Sequence, residues 1–215
     1  MNTEEEKLKM IDEDFEQGIS MVNKFNPSVT FYGSTRLNEG NPDYEKVRHL
    51  TYRISKELGY TIFSGGGPGI MEAANRGAFE AGGKSIGFTI SLPKEQDTNK
   101  YITEQIPFHF FFSRQSSMSY ATEVCIFGPG GFGTFSELFE ILTLLQTNKI
   151  DKVPVILFGS EFWSPLEKLI EENLLNKYKT IGEEDIKLYT ITDDEDKILE
   201  IIKNSKIRDG HDALR

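Results

Sequence analysis

Cysteine is all but absent from this chain. Cys125 is the sole one in 215 residues, so an intrachain disulfide framework is excluded. Its setting in the apolar run Val124–Phe127 marks it as a small buried hydrophobe rather than a reactive thiol. Histidine is scarce as well. His49, His109 and His211 share no metal-like spacing with one another or with Cys125, which argues against a structural zinc site. Positive charge is in deficit: 24 Lys and Arg stand against 34 Asp and Glu, for a formal net charge of −10. Such a chain is a poor nonspecific ligand for nucleic acid polymers or anionic membranes, yet a local positive site is enough to hold a small phosphorylated molecule. No run is long and apolar enough to span a bilayer, and the acidic start Glu4-Glu5-Glu6 lacks the character of a signal peptide. A cytoplasmic location is therefore expected.

What the chain does contain is a strand–helix rhythm. Leu8, Ile11, Phe15, Ile19 and Val22 recur at spacings of three and four, which predicts an amphipathic helix leading to Pro27. Strands are expected at Val29–Tyr32, Tyr60–Phe63, Ser85–Thr89, Phe108–Phe112, Val124–Phe127, Val153–Phe158 and Lys187–Ile191. Helices fall between them. Asn41-Pro42 opens one as N-cap and first position, and Gly59 ends it. The others are Ile70–Ala81, Arg114–Thr122, Glu137–Gln146, Ser164–Tyr178 and Asp193–Lys203, the last capped by Thr192. Residues 91–105 are polar, contain Pro93 and read as a surface excursion. The pattern predicts an α/β protein: a Rossmann-like, doubly wound parallel sheet with helices on both faces, in a single domain. Its expected organisation is a helical extension at 1–27, a nucleotide-binding domain at 28–204 and a tail at 205–215.

The most informative stretch is Gly128-Pro129-Gly130-Gly131-Phe132-Gly133-Thr134-Phe135-Ser136-Glu137. It joins a buried strand to a helix N-terminus. Glycines admit a close-lying ligand and positive φ, and free amides at a helix start attract phosphate. A second glycine turn, Ser64-Gly65-Gly66-Gly67-Pro68-Gly69, and a shorter one at Gly33-Ser34 also follow strands. Ligands of such folds sit at the carboxyl ends of the strands, where these turns fall. Gly128-x-Gly130-x-x-Gly133 formally matches the dinucleotide fingerprint. That motif belongs to a first strand–helix turn, however, and here it lies past the middle of the chain. Asp151, at the distance of the ribose-binding acid, precedes its strand instead of closing it.

The run Pro129-Gly130-Gly131-Phe132-Gly133-Thr134-Phe135-Ser136-Glu137 resembles the PGGxGTxxE signature of the "lonely guy" (LOG) family. These are cytokinin riboside 5′-monophosphate phosphoribohydrolases, often misnamed lysine decarboxylases. Gly65–Met71 is similar to the family's second glycine motif and Gly33-Ser34 to its first turn. Glu140, Thr143 and Gln146 fall where the pattern continues, and the resemblance runs over roughly residues 29 to 203. It implies a dimer that hydrolyses the N-glycosidic bond of a nucleoside 5′-monophosphate, without a cofactor. The catalytic arginine and glutamate map onto Arg114 and Glu137. The implied substrate-binding set is Gly33, Ser34, Gly66, Gly67, Met118, Gly130, Gly131, Gly133, Thr134 and Glu140. One position departs: Gln115 stands where the family usually has lysine, so a cation beside the nucleotide is lost.

Each residue also has a plainer reading. Thr134 and Glu137 form a capping-box pattern, and the dipole of that helix favours an ionised Glu137. Met118 could face a base or simply fill the core. The helix from Phe135 is apolar nearly all round, which suits burial by a second subunit; the alternative is cover by the N-terminal helix. A non-catalytic nucleotide-binding or carrier protein on the same fold is the rival to the enzyme. Pyridoxal-dependent decarboxylation is a poor third, since no lysine has a Schiff-base context.

Overall fold

The computed structural model describes residues 3–90, 98–120 and 122–207, apart from the side chain of Val22. Seven parallel strands form one sheet in the order β4-β3-β2-β1-β5-β6-β7. They are β1 Ser28–Tyr32, β2 Thr61–Ser64, β3 Ser85–Ile90, β4 Glu104–Phe108, β5 Val124–Phe127, β6 Val155–Leu157 and β7 Thr190–Ile191. The central strands are buried along their whole length, which is why they read as continuous apolar runs rather than alternating ones.

Helices α2 (Pro42–Arg53), α3 (Ile70–Glu80) and α7 (Glu195–Asn204) cover one face through Tyr44, Val47, Leu50, Ala73, Ala74, Ile198 and Ile202. Small residues bring α3 close to its neighbours: a Cβ on Gly77 would lie 2.1 Å from the Arg48 carbonyl of α2. The other face carries α1 (Glu4–Lys24), α4 (Phe111–Tyr120), α5 (Phe132–Gln146) and α6 (Ser160–Leu169). The strand order reverses direction between β1 and β5, which pair directly from Val29↔Val124 to Tyr32↔Phe127. A crevice opens at such a switch point, and it is there that the Gly33 and Gly128 turns emerge.

Several expectations are corrected. The strand foreseen at Phe108–Phe112 lies earlier, at Glu104–Phe108, and Phe111 and Phe112 begin α4. β-propensity favoured phenylalanine as strand, but the pairing with β3 runs in register from Ile86↔Glu104 to Ile90↔Phe108, and the chain turns into α4 at Phe111. β7 is confined to Thr190–Ile191, and Asp194 rather than Thr192 caps α7, accepting from the amides of Asp196 and Lys197. The excursion foreseen at 91–105 falls in part on 91–97, and the end of the tail, with His211, on 208–215; both lie outside the described residues. Its described portion is not simply surface, since Asn99 is buried. Asn41 caps α2 as expected, accepting from the amide of Asp43. Cys125 is buried, as expected. Among the described residues no helix is long and apolar enough to cross a membrane.

Candidate active site

Three turns meet at the crevice and pin one another. The Ser34 amide donates to the Pro129 carbonyl at 3.0 Å, and the Ile70 amide donates to the Ser34 carbonyl at 2.8 Å. Gly69 adopts φ 71° and packs so tightly that a Cβ there would lie 2.4 Å from the Ser34 carbonyl oxygen. The result is a cleft of about 920 Å³. One wall is backbone: Gly33, Ser34, Thr35 and Gly130 to Thr134. The first intrahelical bond of α5 runs from Phe135 N to Gly131 O at 3.0 Å. The amides of Phe132, Gly133 and Thr134 therefore have no intrahelical acceptor, the arrangement that receives an anion.

The glycines of this turn act by leaving room. None of Gly128, Gly130, Gly131 or Gly133 has positive φ, contrary to one of the two reasons for expecting glycine there. A Cβ on Gly131 or Gly133 would meet nothing within 4 Å, so both present open space to a ligand. Gly130 is different: a Cβ would collide with the Thr134 side chain at 2.2 Å. Gly33 lines the cleft, but its lack of a side chain accommodates Ile70.

α4 delivers Arg114 and α5 delivers Glu137. Arg114 is 9 % exposed, its Nε donates to the Phe88 carbonyl at 2.8 Å, and its Nη2 lies 3.8 Å from Glu137 Oε1. At that distance the two charges face each other without a hydrogen bond. Gly65 backs the guanidinium so closely that a Cβ there would lie 2.2 Å from Nη2. Glu137 is not a helix cap. α5 starts at Phe132 with Gly131 as N-cap, so Thr134 is already inside the helix and the foreseen capping box does not form. Nor does the helix dipole decide its charge. Burial pushes the Glu137 carboxyl up to about 7; Arg114 opposes that shift and Glu140 adds to it. Desolvation of the charged form outweighs the partner.

The other foreseen positions divide. Ser34 and Thr134 line the cleft. The Ser34 hydroxyl also accepts from the Arg36 amide at 3.0 Å. Gly66 and Gly67 do not line it: both are buried, and Asn99 Nδ2 holds their carbonyls at 3.2 and 3.0 Å. Met118 is 1 % exposed within the core beneath β3 and β4, so the packing account of it prevails. Glu140 is half-buried, with the Gln115 side chain near enough to lower its carboxyl's pKa. Neither Gln115 nor Glu140 lines the cleft. Burial raises the Glu140 carboxyl in spite of Gln115.

Some lining residues went unforeseen. Met71, Ile90, Phe111, Phe132, Phe135 and Phe162 form an apolar side, with Phe132 98 % exposed at its mouth. Arg36 is the second cation of the cleft beside Arg114. Phe111 was hidden by the strand reading, and Phe162 arrives from α6, far away in sequence. Among the described residues no group of three His, Cys, Asp or Glu could hold a metal ion.

The chain is similar to proteins that are already known. Cytokinin riboside 5′-monophosphate phosphoribohydrolase LOG1 of Arabidopsis thaliana is 26% identical over 164 residues, covering 74% of this chain and 76% of the relative. A protein of the same name from Rhodococcoides fascians is 28% identical over 158 residues, covering 71% and 78%. Among solved structures, the molybdenum cofactor carrier protein of Chlamydomonas reinhardtii superposes with a TM-score of 0.62 at 21% identity, covering 82% of this chain and 96% of that one. At that identity the likeness is one of fold. The profile of the family described as "possible lysine decarboxylase" matches residues 71–202, more than half of the chain, and the protein accordingly belongs to this family, that of the LOG proteins.

Proposed function

We propose that the protein hydrolyses the N-glycosidic bond of a nucleoside 5′-monophosphate, releasing the free base and ribose 5-phosphate. The observation that carries this reading is the Arg114–Glu137 pair, held 3.8 Å apart at the edge of an anion-receptive helix N-terminus. The 5′-phosphate binds the amides from Gly131 to Thr134, with Arg36 at the mouth. The base lies toward the phenylalanines, whose faces suit a flat heterocycle. The C1′–N bond breaks with its electron pair leaving on the base, and positive charge develops on the ribosyl carbon. Ionised Glu137 stabilises that charge and takes a proton from the water whose oxygen bonds to C1′. The proton then passes to the departing base or to solvent. Arg114 supplies its free Nη groups to ribose hydroxyls or phosphate. A carboxyl titrating near 7 is suited to such a proton relay at neutral pH.

The test is a panel of nucleoside 5′-monophosphates and matching nucleosides, with free base measured by chromatography and binding by calorimetry. Base release from at least one monophosphate is expected, together with binding at least about tenfold tighter than for its nucleoside, since a nucleoside leaves the amides without their charged partner. Binding without base release favours a carrier or sensor. The observation on that side is Gln115, a neutral side chain where the family resemblance implies a lysine beside the nucleotide.

A homodimer is part of the same proposal. On α5, Phe139 is 40 % exposed and Leu142 and Leu144 are only half-buried. α1 packs on α4 and β4 rather than across this face, so the alternative cover considered from the sequence is not supplied. Light scattering at micromolar concentration is expected to give twice the 24.4 kDa chain mass. A concentration-independent monomer contradicts the dimer.

A further inference from the structure

We propose that Asp14, on the N-terminal helix, is a positioning residue that sets the first turn of α4 and thereby aims Arg114 at Glu137. For its catalytic consequence the proposal rests on the hydrolase reading above. The family match begins at Met71, so α1 lies outside it. Arg114 nevertheless depends on this helix for the placement of its own turn.

The argument starts from an anomaly in the sequence. Asp14 interrupts an amphipathic helix on the side that should be apolar, and it has no exposed surface. A buried carboxylate is costly unless every lone pair is used. Here they are. Asp14 accepts from the amide of His109 at 3.0 and 3.1 Å, from the amide of Phe110 at 3.2 Å and from the hydroxyl of Ser113, and His109 Nδ1 lies 2.9 Å away. Burial by itself raises the carboxyl's pKa, but hydrogen bonds from Ser113 and His109 outweigh it and the net shift is downward, so the group is ionised at neutral pH.

Those donors are the residues that lead into α4 and form its first turn. Asp14 therefore holds the two amides that lead into α4 and the Ser113 hydroxyl of its first turn, and it places a negative charge at the positive end of the helix. Its neighbours extend the attachment. Gln17 Nε2 donates to the Pro107 carbonyl at 2.7 Å, and a Cβ on Gly18 would lie 2.3 Å from Ser117 Oγ, so the two helices touch there. Arg114 directly follows Ser113, and its amide bonds Phe110 O at 3.2 Å within the turn that Asp14 holds. The guanidinium at its far end has little slack between the Phe88 carbonyl and Gly65. Loosening the turn shifts Nη2 relative to Glu137, and a misplacement near 1 Å is enough to cost on the order of 100-fold in rate.

The experiment compares the full-length wild type with Asp14→Ala and Asp14→Asn by hydrogen exchange, steady-state kinetics on AMP and thermal unfolding. Asp14→Asn keeps the size of the side chain and serves if Asp14→Ala does not fold. Amides of residues 109–114 are expected to exchange at least about tenfold faster, with the sheet strands unchanged, because the opening is local. The value of kcat is expected to fall on the order of 10- to 100-fold with KM changed far less, since the amides at the start of α5 are untouched. In an Arg114→Ala background, Asp14→Asn should slow turnover no further, the coupling expected of residues acting through one another. Exchange that is unchanged at 109–114, or faster evenly over the whole chain, overturns the proposal, as does an additive double variant. If the wild type releases base from no monophosphate, the hydrolase reading fails. The exchange pattern at 109–114 then still decides whether Asp14 sets this turn.

Discussion

Glu137→Gln is expected to lower kcat by about 100-fold or more while nucleotide binding stays within a few-fold of the wild type. The substitution keeps the size of the side chain and removes its charge. Helix capping offers no competing explanation, because α5 begins at Phe132 and Glu137 lies a full turn beyond the unpaired amides. What remains, on the proposed mechanism, is a carboxyl whose ionised form acts at the reacting carbon. Its raised pKa gives the prediction a second signature. If the carboxylate is the working form, kcat in the wild type should rise as pH passes through about 7 and level off above it. The Gln variant should lack that limb. Turnover close to wild type in Glu137→Gln would remove the residue from the mechanism.

The same titration has a stability consequence of defined sign. The folded protein holds the Glu137 proton more tightly than the unfolded chain, with a pKa of about 7 against the ordinary 4.5. Between those values the folded state binds more protons, so stability falls as pH rises from about 4.5 to about 7, and the whole cost is present above 7. For a shift of this size that cost is on the order of 3 kcal/mol. Thermal unfolding of Glu137→Gln should therefore lose less stability than the wild type between pH 5 and 8, as two parallel titrations of Tm would reveal. Loss of activity accompanied by a gain in stability at pH 8 is the pattern of a carboxylate held for function.

Gly65→Ala should be nearly as damaging to turnover, by a different route. The added Cβ would lie 2.2 Å from Arg114 Nη2 and 2.7 Å from Met71 Sδ, distances that no real Cβ tolerates. Gly65 does not have positive φ, so the backbone accepts alanine without strain. The guanidinium must yield, and it is tied through Nε to Phe88 O at 2.8 Å. A displacement near 1 Å moves it out of line with Glu137 and costs kcat/KM on the order of 100-fold, with only a modest change in Tm. Gly131→Ala is the control that separates crowding of the arginine from crowding of the ligand. A Cβ there meets no protein atom within 4 Å, so folding should be unaffected. A loss of monophosphate affinity in Gly131→Ala, with nucleoside affinity retained, locates the phosphate on the α5 turn. Wild-type kinetics for Gly65→Ala would show that Arg114 need not hold the observed position.

How much of this was legible in the sequence follows from how local each cause is. The parallel sheet could be read because its strands are short apolar runs bounded by glycine turns, and because a strand buried on both faces admits little else. The glycine turns could be placed at the carboxyl edge, since each directly follows a strand. Arg114 and Glu137 were found through spaced motifs, although spacing alone could not choose between a helix cap and an acid. Phe108–Phe112 misled because phenylalanine suits a strand, whereas Phe111 and Phe112 begin α4 with more than half of their surface exposed; the pairing of β4 with β3 ends at Phe108. Met118 sits on the same helix as Arg114, yet one side chain enters the cleft and the other the core, a difference in facing that only the docked helix defines.

The sequence by itself therefore determined the layered α/β architecture, the three glycine turns, the pair of charged residues and the exclusion of disulfide chemistry. The architecture, the turns and the exclusion follow from composition or from neighbours a few positions apart, and the charged pair from the resemblance to a family signature. The tertiary structure alone decided that Glu137 is desolvated to a pKa of about 7, that Gly65 rather than Gly66 or Gly67 backs Arg114, and that Asp14 holds the turn from which Arg114 extends. Desolvation, close approach and a carboxylate supplied by another helix arise only when segments up to about a hundred positions apart are brought within a few ångströms.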